Sequence, residues 1–275
     1  MLDKFIFENH LGQRFEGLPN GVYLNYSDLR DYSWSFDTIN NRISRFYRGI
    51  TNRKIPLVVY CKSAEEAVSV INRLHELAEA DIVAKIPGKI FVGDYYTSGY
   101  ITGSVKSNYL IRRKYCKIAL TLTSDDPTWY REQLHPFFPS AGNGFGSGDA
   151  GYPYDYPYDY AISSNGSKIV CNSVGSNEFR LLIYGEATNP AVVINGHTYT
   201  VNGTIAKGET LLINSMNKKI TLTTASGKKV NWFDKRGRDM YIFEPIPAGQ
   251  NTVVWAGSFG FDLTVIEKRS EPKWT

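Results

Sequence analysis

Between Ser63 and Ala80 the apolar residues Ala67, Val70, Ile71, Leu74, Leu77 and Ala78 recur three and four positions apart, with polar or charged residues between them. This spacing predicts an amphipathic helix with one buried stripe. Ser63, followed three residues later by Glu66, predicts a capping box at its start. On either side of the helix the period changes. Ile55 to Tyr60 is a short apolar run suited to a strand, with Pro56 near its start, where a missing donor is tolerated. Beyond the helix, Cys116, Ile118, Leu120 and Leu122 alternate with Lys117, Ala119, Thr121 and Thr123, the period of two expected of a half-buried strand. Between Lys89 and Lys117, Gly93, Gly99 and Gly103 stand among aromatic and β-branched residues, which predicts a twisted or bulged hairpin. The first half therefore reads as α+β, one long helix on a sheet.

From Ala161 onward the pattern is a series of short apolar runs: Phe179 to Tyr184, Ala191 to Ile194, Thr210 to Ile213, Ile220 to Thr224 and Phe259 to Ile266. Asn195-Gly196, Asn202-Gly203 and Lys207-Gly208 punctuate them as turns. Many short strands with regular turns predict a β-sandwich, so the chain as a whole is expected to be mainly β. Between the halves, Ser140 to Gly151 is glycine-rich and Tyr152 to Tyr160 repeats Tyr, Pro and Asp. Neither stretch sustains regular structure cheaply. The expected organisation is a domain over residues 1–139, a linker over 140–160 and a sandwich over 161–275.

Composition agrees with strands: 14% of the 275 residues are aromatic, with 19 Tyr against 3 Met. A hydrophobic share of 42% with 21% charged residues excludes a disordered tail or a coiled coil as the main architecture. The net charge of +4 is divided evenly, 18 basic against 15 acidic residues up to Pro139 and 13 against 12 beyond it. Neither half is therefore a basic nucleic-acid module. The N-terminal residues lack the apolar core of a signal peptide and no stretch approaches the ~20 apolar residues that cross a bilayer, so a protein made and folded in a cytoplasm, with no membrane insertion, is expected. Cys61, Cys116 and Cys171 are odd in number and widely spaced, which suggests buried thiols rather than a disulfide framework or a zinc site.

Catalytic chemistry lacks its minimum parts. His10, His75, His135 and His197 fall in four separate elements, without zinc-ligand spacing, and no glycine-flanked nucleophilic serine occurs. Asp125-Asp126-Pro127 reads as the end of a strand rather than a carboxylate pair, because adjacent residues point to opposite faces. Asp155 and Asp159 read as solvated linker charges. The alternating Gly142, Gly144, Gly146 and Gly148 have no helix behind them to make a phosphate cradle. No enzyme activity, metal or cofactor is expected.

Across both halves, ordered motifs carry a resemblance. They are the opening Phe5-Ile-Phe-Glu-Asn-His10 with Gly12 and Phe15-Glu16, then Gly93-Asp-Tyr-Tyr96, then the strand exit Leu120 to Tyr130. In the second half they are Tyr154-Asp-Tyr156, Phe179 to Gly185 with Asn189-Pro190, Ile194-Asn-Gly196, Gly208-Glu209, Ile213-Asn214, Ile246 to Asn251 and Pro272-Lys-Trp274. Together they resemble the distal tail proteins of long, non-contractile-tailed bacteriophages, the siphovirus tail component family. The resemblance implies an N-terminal domain that forms a homo-oligomeric ring, six-membered in the family, and a galectin-like sandwich at its periphery. It also implies a hub at the virion tail tip that joins the tail tube protein to tail-tip or baseplate proteins and leaves a channel through which DNA passes without specific binding. It transfers no catalytic residue.

Two groups of residues then become candidates. Arg42, Arg45, Arg48, Arg53 and Lys54 stand without an acidic neighbour between Asn41 and Ile55. They are either a solvated strand face or loop, or a surface that meets acidic residues of a neighbouring ring subunit or faces the channel; DNA transit needs weak contacts, which favours the subunit contact. Tyr152, Tyr154, Tyr156, Tyr158 and Tyr160 line one face of an extended segment, for docking on the chain's own domains or for stacking on sugar rings. Phe145, Trp232 and Trp255 have no spacing that separates core from site. The reading that follows is a structural tail hub. Its alternative is a carbohydrate-binding protein that recognises a cell-surface glycan through the sandwich.

Overall fold

A computed structural model describes residues 4–25, 27–107, 114–139 and 167–274. The chain is mainly β and divides into two compact units, residues 1–131 with 268–275, and residues 132–267.

In the first unit β1 (Ile6–Glu8), β2 (Arg14–Glu16), β3 (Val22–Leu24), β4 (Ser35–Ile39), β5 (Arg42–Tyr47) and β6 (Thr51–Tyr60) precede helix α1 (Ala64–Ala84); β7 (Gly88–Val92), β8 (Tyr95–Ser107), β9 (Tyr115–Ser124) and the start of β10 (Trp129–Phe137) follow it. The capping box forms, with one displacement. Ser63 Oγ accepts from the Glu66 amide at 3.1 Å, while the Glu66 carboxylate reaches back to the Lys62 amide at 2.9 Å rather than to that of Ser63. Ala67, Val70, Leu74, Leu77 and Ala78 are buried and Ile71 packs partly against the same core, which also holds Ile55, Leu57 and Val59 of β6 and Ile118, Leu120 and Leu122 of β9. The helix runs one turn beyond the predicted stripe and closes on Lys85 in the left-handed region, φ 56°.

Pro56 interrupts nothing. Its carbonyl accepts from Asn25, past the last β3–β6 pair Leu24↔Leu57, so its missing N–H lies on a side where the neighbouring strand has ended. The predicted hairpin is β7 and β8, turning at Gly93 with φ 58°. Up to Gly99, β8 pairs with β7; from Tyr100 it pairs with β9, and the register shifts between Ile101 and Gly103. That bulge lets one strand serve two directions of the sheet.

The second unit holds β11 (Ser167–Cys171), β12 (Glu178–Tyr184), β13 (Ala187–Thr188), β14 (Ala191–Ile194), β15 (His197–Thr200), β16 (Thr204–Ile205), β17 (Thr210–Asn214), β18 (Lys219–Thr223), β19 (Lys229–Asn231), β20 (Gly249–Trp255) and β21 (Phe261–Arg269), the last of which runs on into the first unit. One sheet runs β19-β18-β17-β12-β21 and the other β11-β20-β14-β15. Phe179, Leu181 and Ile183 from the first face Val192, Ile194 and Val253 from the second across one core, and Phe179 meets the Tyr199 ring edge-on at 4.9 Å. This is a β-sandwich. Asn195 and Gly196 both have positive φ, 50° and 80°, the geometry of the two-residue turn that joins β14 to β15.

Trp232 and Trp255 belong to this core. Trp232 is buried, and Trp255 packs edge-on against Phe137 and Phe261, both centroids at 5.3 Å, with its Nε1 donating to the Phe259 carbonyl. Phe145 lies outside the described residues. Residues 132–139 pack with the sandwich, because Phe137 stacks on Phe261 at 4.5 Å. The last residues pack with the first unit: the Arg30 guanidinium lies 4.1 Å over the Trp274 ring and donates to the Pro272 carbonyl at 3.0 Å.

Candidate subunit interface

β4 and β5 pair with each other and, among the described residues, with no other strand. Asn40 and Asn41 connect them with φ 51° and 61°, two successive left-handed residues that Asn tolerates through its short polar side chain. Every residue of both strands is exposed. Phe36 pairs with Phe46 and Thr38 with Ile43, and the register shifts after Asp37↔Arg45, which leaves Ser44 as the extra residue. Strand alternation therefore collects Phe36, Ile43 and Phe46 on one face, with the Trp34 ring edge-on to Phe46 at 6.5 Å. These four side chains are 44–59% exposed. An isolated two-stranded ribbon is marginal in water, and among the described residues nothing covers the apolar face of this one.

The five basic residues do not share one face. Arg42 and Arg45 lie on the exposed hairpin, the latter with its guanidinium 5.8 Å from the Tyr47 ring. Lys54 projects outward from β6 and its Nζ donates to Thr121 Oγ1 at 2.9 Å. Arg53 points the other way. It is 5% exposed, sits 5.7 Å from the Trp129 ring, and its Nη2 donates to the Pro127 carbonyl at 3.1 Å. Arg48 leaves the hairpin with its guanidinium 4.4 Å over Trp34, and donates to Thr128 Oγ1 at 2.8 Å. Burial, and then the neighbouring Arg48 charge, bring the Arg53 pKa down to about 10, with Asp31 opposing. Burial also lowers that of Arg48. The basic run is thus neither wholly a solvated face nor one continuous patch.

Asp126 lies just past the end of β9, which closes at Ser124. Its carboxylate accepts from the Thr128 amide at 3.2 Å and from the Tyr130 hydroxyl. The histidines stay apart: His10 Nδ1 lies 2.7 Å from the buried Asp81 carboxylate, His75 faces Ser104 Oγ at 3.4 Å, and His197 Nε2 meets the Tyr241 carbonyl at 2.9 Å. Among the described residues no three His, Cys, Asp or Glu side chains form a metal-binding group, and no helix is long and apolar enough to cross a membrane. The three cysteines are buried and free; burial raises the thiol pKa of each. Tyr152, Tyr154, Tyr156, Tyr158, Tyr160, Asp155, Asp159 and Gly142 to Gly148 lie outside the described residues.

The apolar hairpin is the feature that the charge run conceals in the sequence. Part of its signal is legible in retrospect: Trp34 and Phe36 alternate with Ser35 and Asp37 before Asn40-Asn41, whereas Ile43 and Phe46 stand three apart and share that face only through the bulge at Ser44.

No protein-family model matches the chain, and no curated protein matches it significantly. Solved structures do. The SPP1 Dit protein, described as a paradigm of the hub adsorption apparatus in phages that infect Gram-positive bacteria, superposes with a TM-score of 0.55 at 12% identity, over 96% of this chain and 99% of that one. A chain of the phage P2 baseplate in its activated conformation with Ca gives a TM-score of 0.61 at 11% identity, over 99% of this chain and 100% of that one. The same baseplate with Sr gives 0.60 at 11% identity, again over 99% and 100%.

Proposed function

From the fold shared with these hub and baseplate chains, we propose that this protein is a non-enzymatic structural hub of a phage or prophage tail tip. Copies of it assemble into a ring, six-membered by the resemblance noted above, through the first unit. The ring joins the tail tube protein to tail-tip or baseplate proteins and leaves a channel for DNA. Assembly takes place in the bacterial host cytoplasm and the sandwich is displayed outward.

The observation that carries this reading is the β4–β5 hairpin, with Trp34, Phe36, Ile43 and Phe46 exposed on one face. Covering such side chains is worth on the order of 1 kcal/mol each once half of their area is already buried. A cyclic assembly repeats that gain at every subunit boundary. The hairpin's length and its pairing, among the described residues, with itself alone suit an arm laid across a neighbouring copy.

The test is the mass of the purified full chain by light scattering, with negative-stain imaging, for the wild type and for the double variant Phe36→Ser/Phe46→Ser. The expected result is a ring for the wild type and a folded monomer for the variant, judged by circular dichroism. A ring that persists in the variant sinks the arm; a wild type that stays monomeric, even with tail-tube ends added, sinks the hub.

A second reading has one observation in its favour. A cleft of about 210 Å³ in the sandwich unit is lined by the exposed Phe138 ring and by Tyr184, Glu186 and Asp262, with the Tyr184 hydroxyl donating to the Asp262 carboxylate at 2.6 Å. An aromatic ring beside carboxylates is a means of holding a sugar. Binding on a glycan array, lost in Phe138→Ala, would support a glycan role for the sandwich.

A further inference from the structure

A cleft of about 310 Å³ opens in the first unit, with Asp28, Asp31, Tyr32, Arg48, Thr51 and Arg53 among its lining residues. Two polar atoms in its lining residues are buried without a hydrogen-bond partner among the described residues: Arg53 Nη1 and Thr51 Oγ1. Arg53 forms no salt bridge among the described residues, and its one hydrogen bond goes to a neutral carbonyl. The guanidinium of a residue only 5% exposed, beside a second guanidinium, bears a desolvation cost that a carbonyl offsets poorly. Burial and the Arg48 charge accordingly depress its pKa, while Asp31 works in the opposite direction. The Asp28 carboxylate is already engaged, since its Oδ2 accepts from the Lys54 amide at 3.2 Å.

We propose that this cleft is a carboxylate socket, in which Arg53 Nη1, Arg48 and the Thr51 hydroxyl hold an acidic side chain of a second copy of this chain. A carboxylate accepts from a guanidinium and a hydroxyl at once and restores a counter-charge to the buried cation. A phosphate dianion is the poorer fit, because Asp28 and Asp31 already place negative charge in the cleft lining and its second charge adds to that repulsion, where a carboxylate brings one. The assignment to a second copy rests on the ring reading above and on continuity with the hairpin. Arg48 follows the last residue of β5, and its guanidinium covers Trp34 at the hairpin's base. A neighbour seated on the apolar face would therefore reach the mouth of the cleft.

The test uses the full wild-type chain and sodium acetate, with sodium chloride at matched ionic strength as reference, followed through the arginine Nε–H signals by NMR. A saturable acetate shift at Arg53 and Arg48, absent at Arg42 and Arg45 on the exposed hairpin, is expected. Absence of saturation, or equal shifts at all four, overturns the socket. In a concentration series by sedimentation, Arg53→Gln should weaken self-association about tenfold or more, the scale for removing one partner of a buried charge pair. Arg48→Gln serves as the second variant should Arg53→Gln fail to fold. Undiminished self-association in either folded variant, with acetate still bound by the wild type, overturns the second copy as carrier and assigns the acidic group to another tail protein. The two readings fail separately: Phe36→Ser/Phe46→Ser removes the ring and should leave acetate binding intact.

Discussion

Asp126 shows how a single carboxylate organises the turn between β9 and β10. Burial raises its pKa, but the hydrogen bonds from Thr128 and Tyr130, with Arg48 nearby, outweigh this and hold it below the ordinary 3.8. A carboxyl whose folded pKa is depressed contributes stability that is complete above its unfolded value and is lost as pH falls through the folded one. Asp126→Asn should therefore cost roughly 1–2 kcal/mol near pH 6, and the deficit should narrow progressively below pH 3.8. Urea midpoints of wild type and variant at pH 6 and pH 3 check this; a deficit that does not depend on pH would mean that the charge plays no part. Gly88 is a second sensitive residue. A Cβ there would stand 2.2 Å from Asp81 Oδ2, 2.7 Å from the Phe7 ring and 2.9 Å from the Glu8 carbonyl, none of which is the end of a flexible exposed chain. Gly88→Ala is expected to destabilise by about 1–3 kcal/mol, as overpacking does, read as a lowered Tm.

At the scale of elements, the helix and the hairpin contrast in what stabilises them. Helix α1 is held twice, by its cap and by its buried stripe, so Ser63→Ala should remove only the cap, about 1 kcal/mol in a denaturant titration, with oligomeric state unchanged. Among the described residues the β4–β5 hairpin has its turn, its own ladder and the Arg48 contacts at its base. Ile43→Thr, on its apolar face, should leave the melting temperature of the monomer nearly unchanged and weaken self-association, because in the isolated chain that side chain is already 53% exposed. Equal loss of Tm and of association would mean that the hairpin packs on its own unit rather than on a neighbour.

For the whole molecule, the division into units sets where the chain can be cut. Residues 132–267 should fold alone as a monomer, because that piece keeps Phe137 in its stack with Phe261 and Trp255. A piece that starts at residue 161 loses the ring. It should be less stable by about 3–5 kcal/mol, the cost of emptying an aromatic site, or fail to fold. Circular dichroism melts of the two pieces decide this. Likewise a first-unit piece ending at Arg131 lacks the Pro272–Trp274 segment on Arg30, and supplying residues 268–275 through a linker should restore cooperativity. Full-length calorimetry with two resolved transitions would agree with two units; one transition with the ring intact would mean that assembly couples them.

The sequence alone determined what short-range periodicity can encode. The stripe from Ala67 to Ala78, the alternation from Cys116 to Leu122, and the Asn195-Gly196 and Gly93 turns specify their elements through neighbours within a few residues, and the structure forms each of them. Arg53, by contrast, is indistinguishable by sequence from Arg45, since both are basic residues in a basic run. Which one is buried depends on the register of β6 against β9, where Arg53 lies opposite Leu122 and turns inward with Ile55 and Leu57. Trp255 and Phe137 become neighbours only through pairings between residues more than a hundred positions apart in the chain. Exposure is a property of the whole fold: the face formed by Phe36, Ile43 and Phe46 reads as ordinary core until the tertiary structure leaves it uncovered among the described residues.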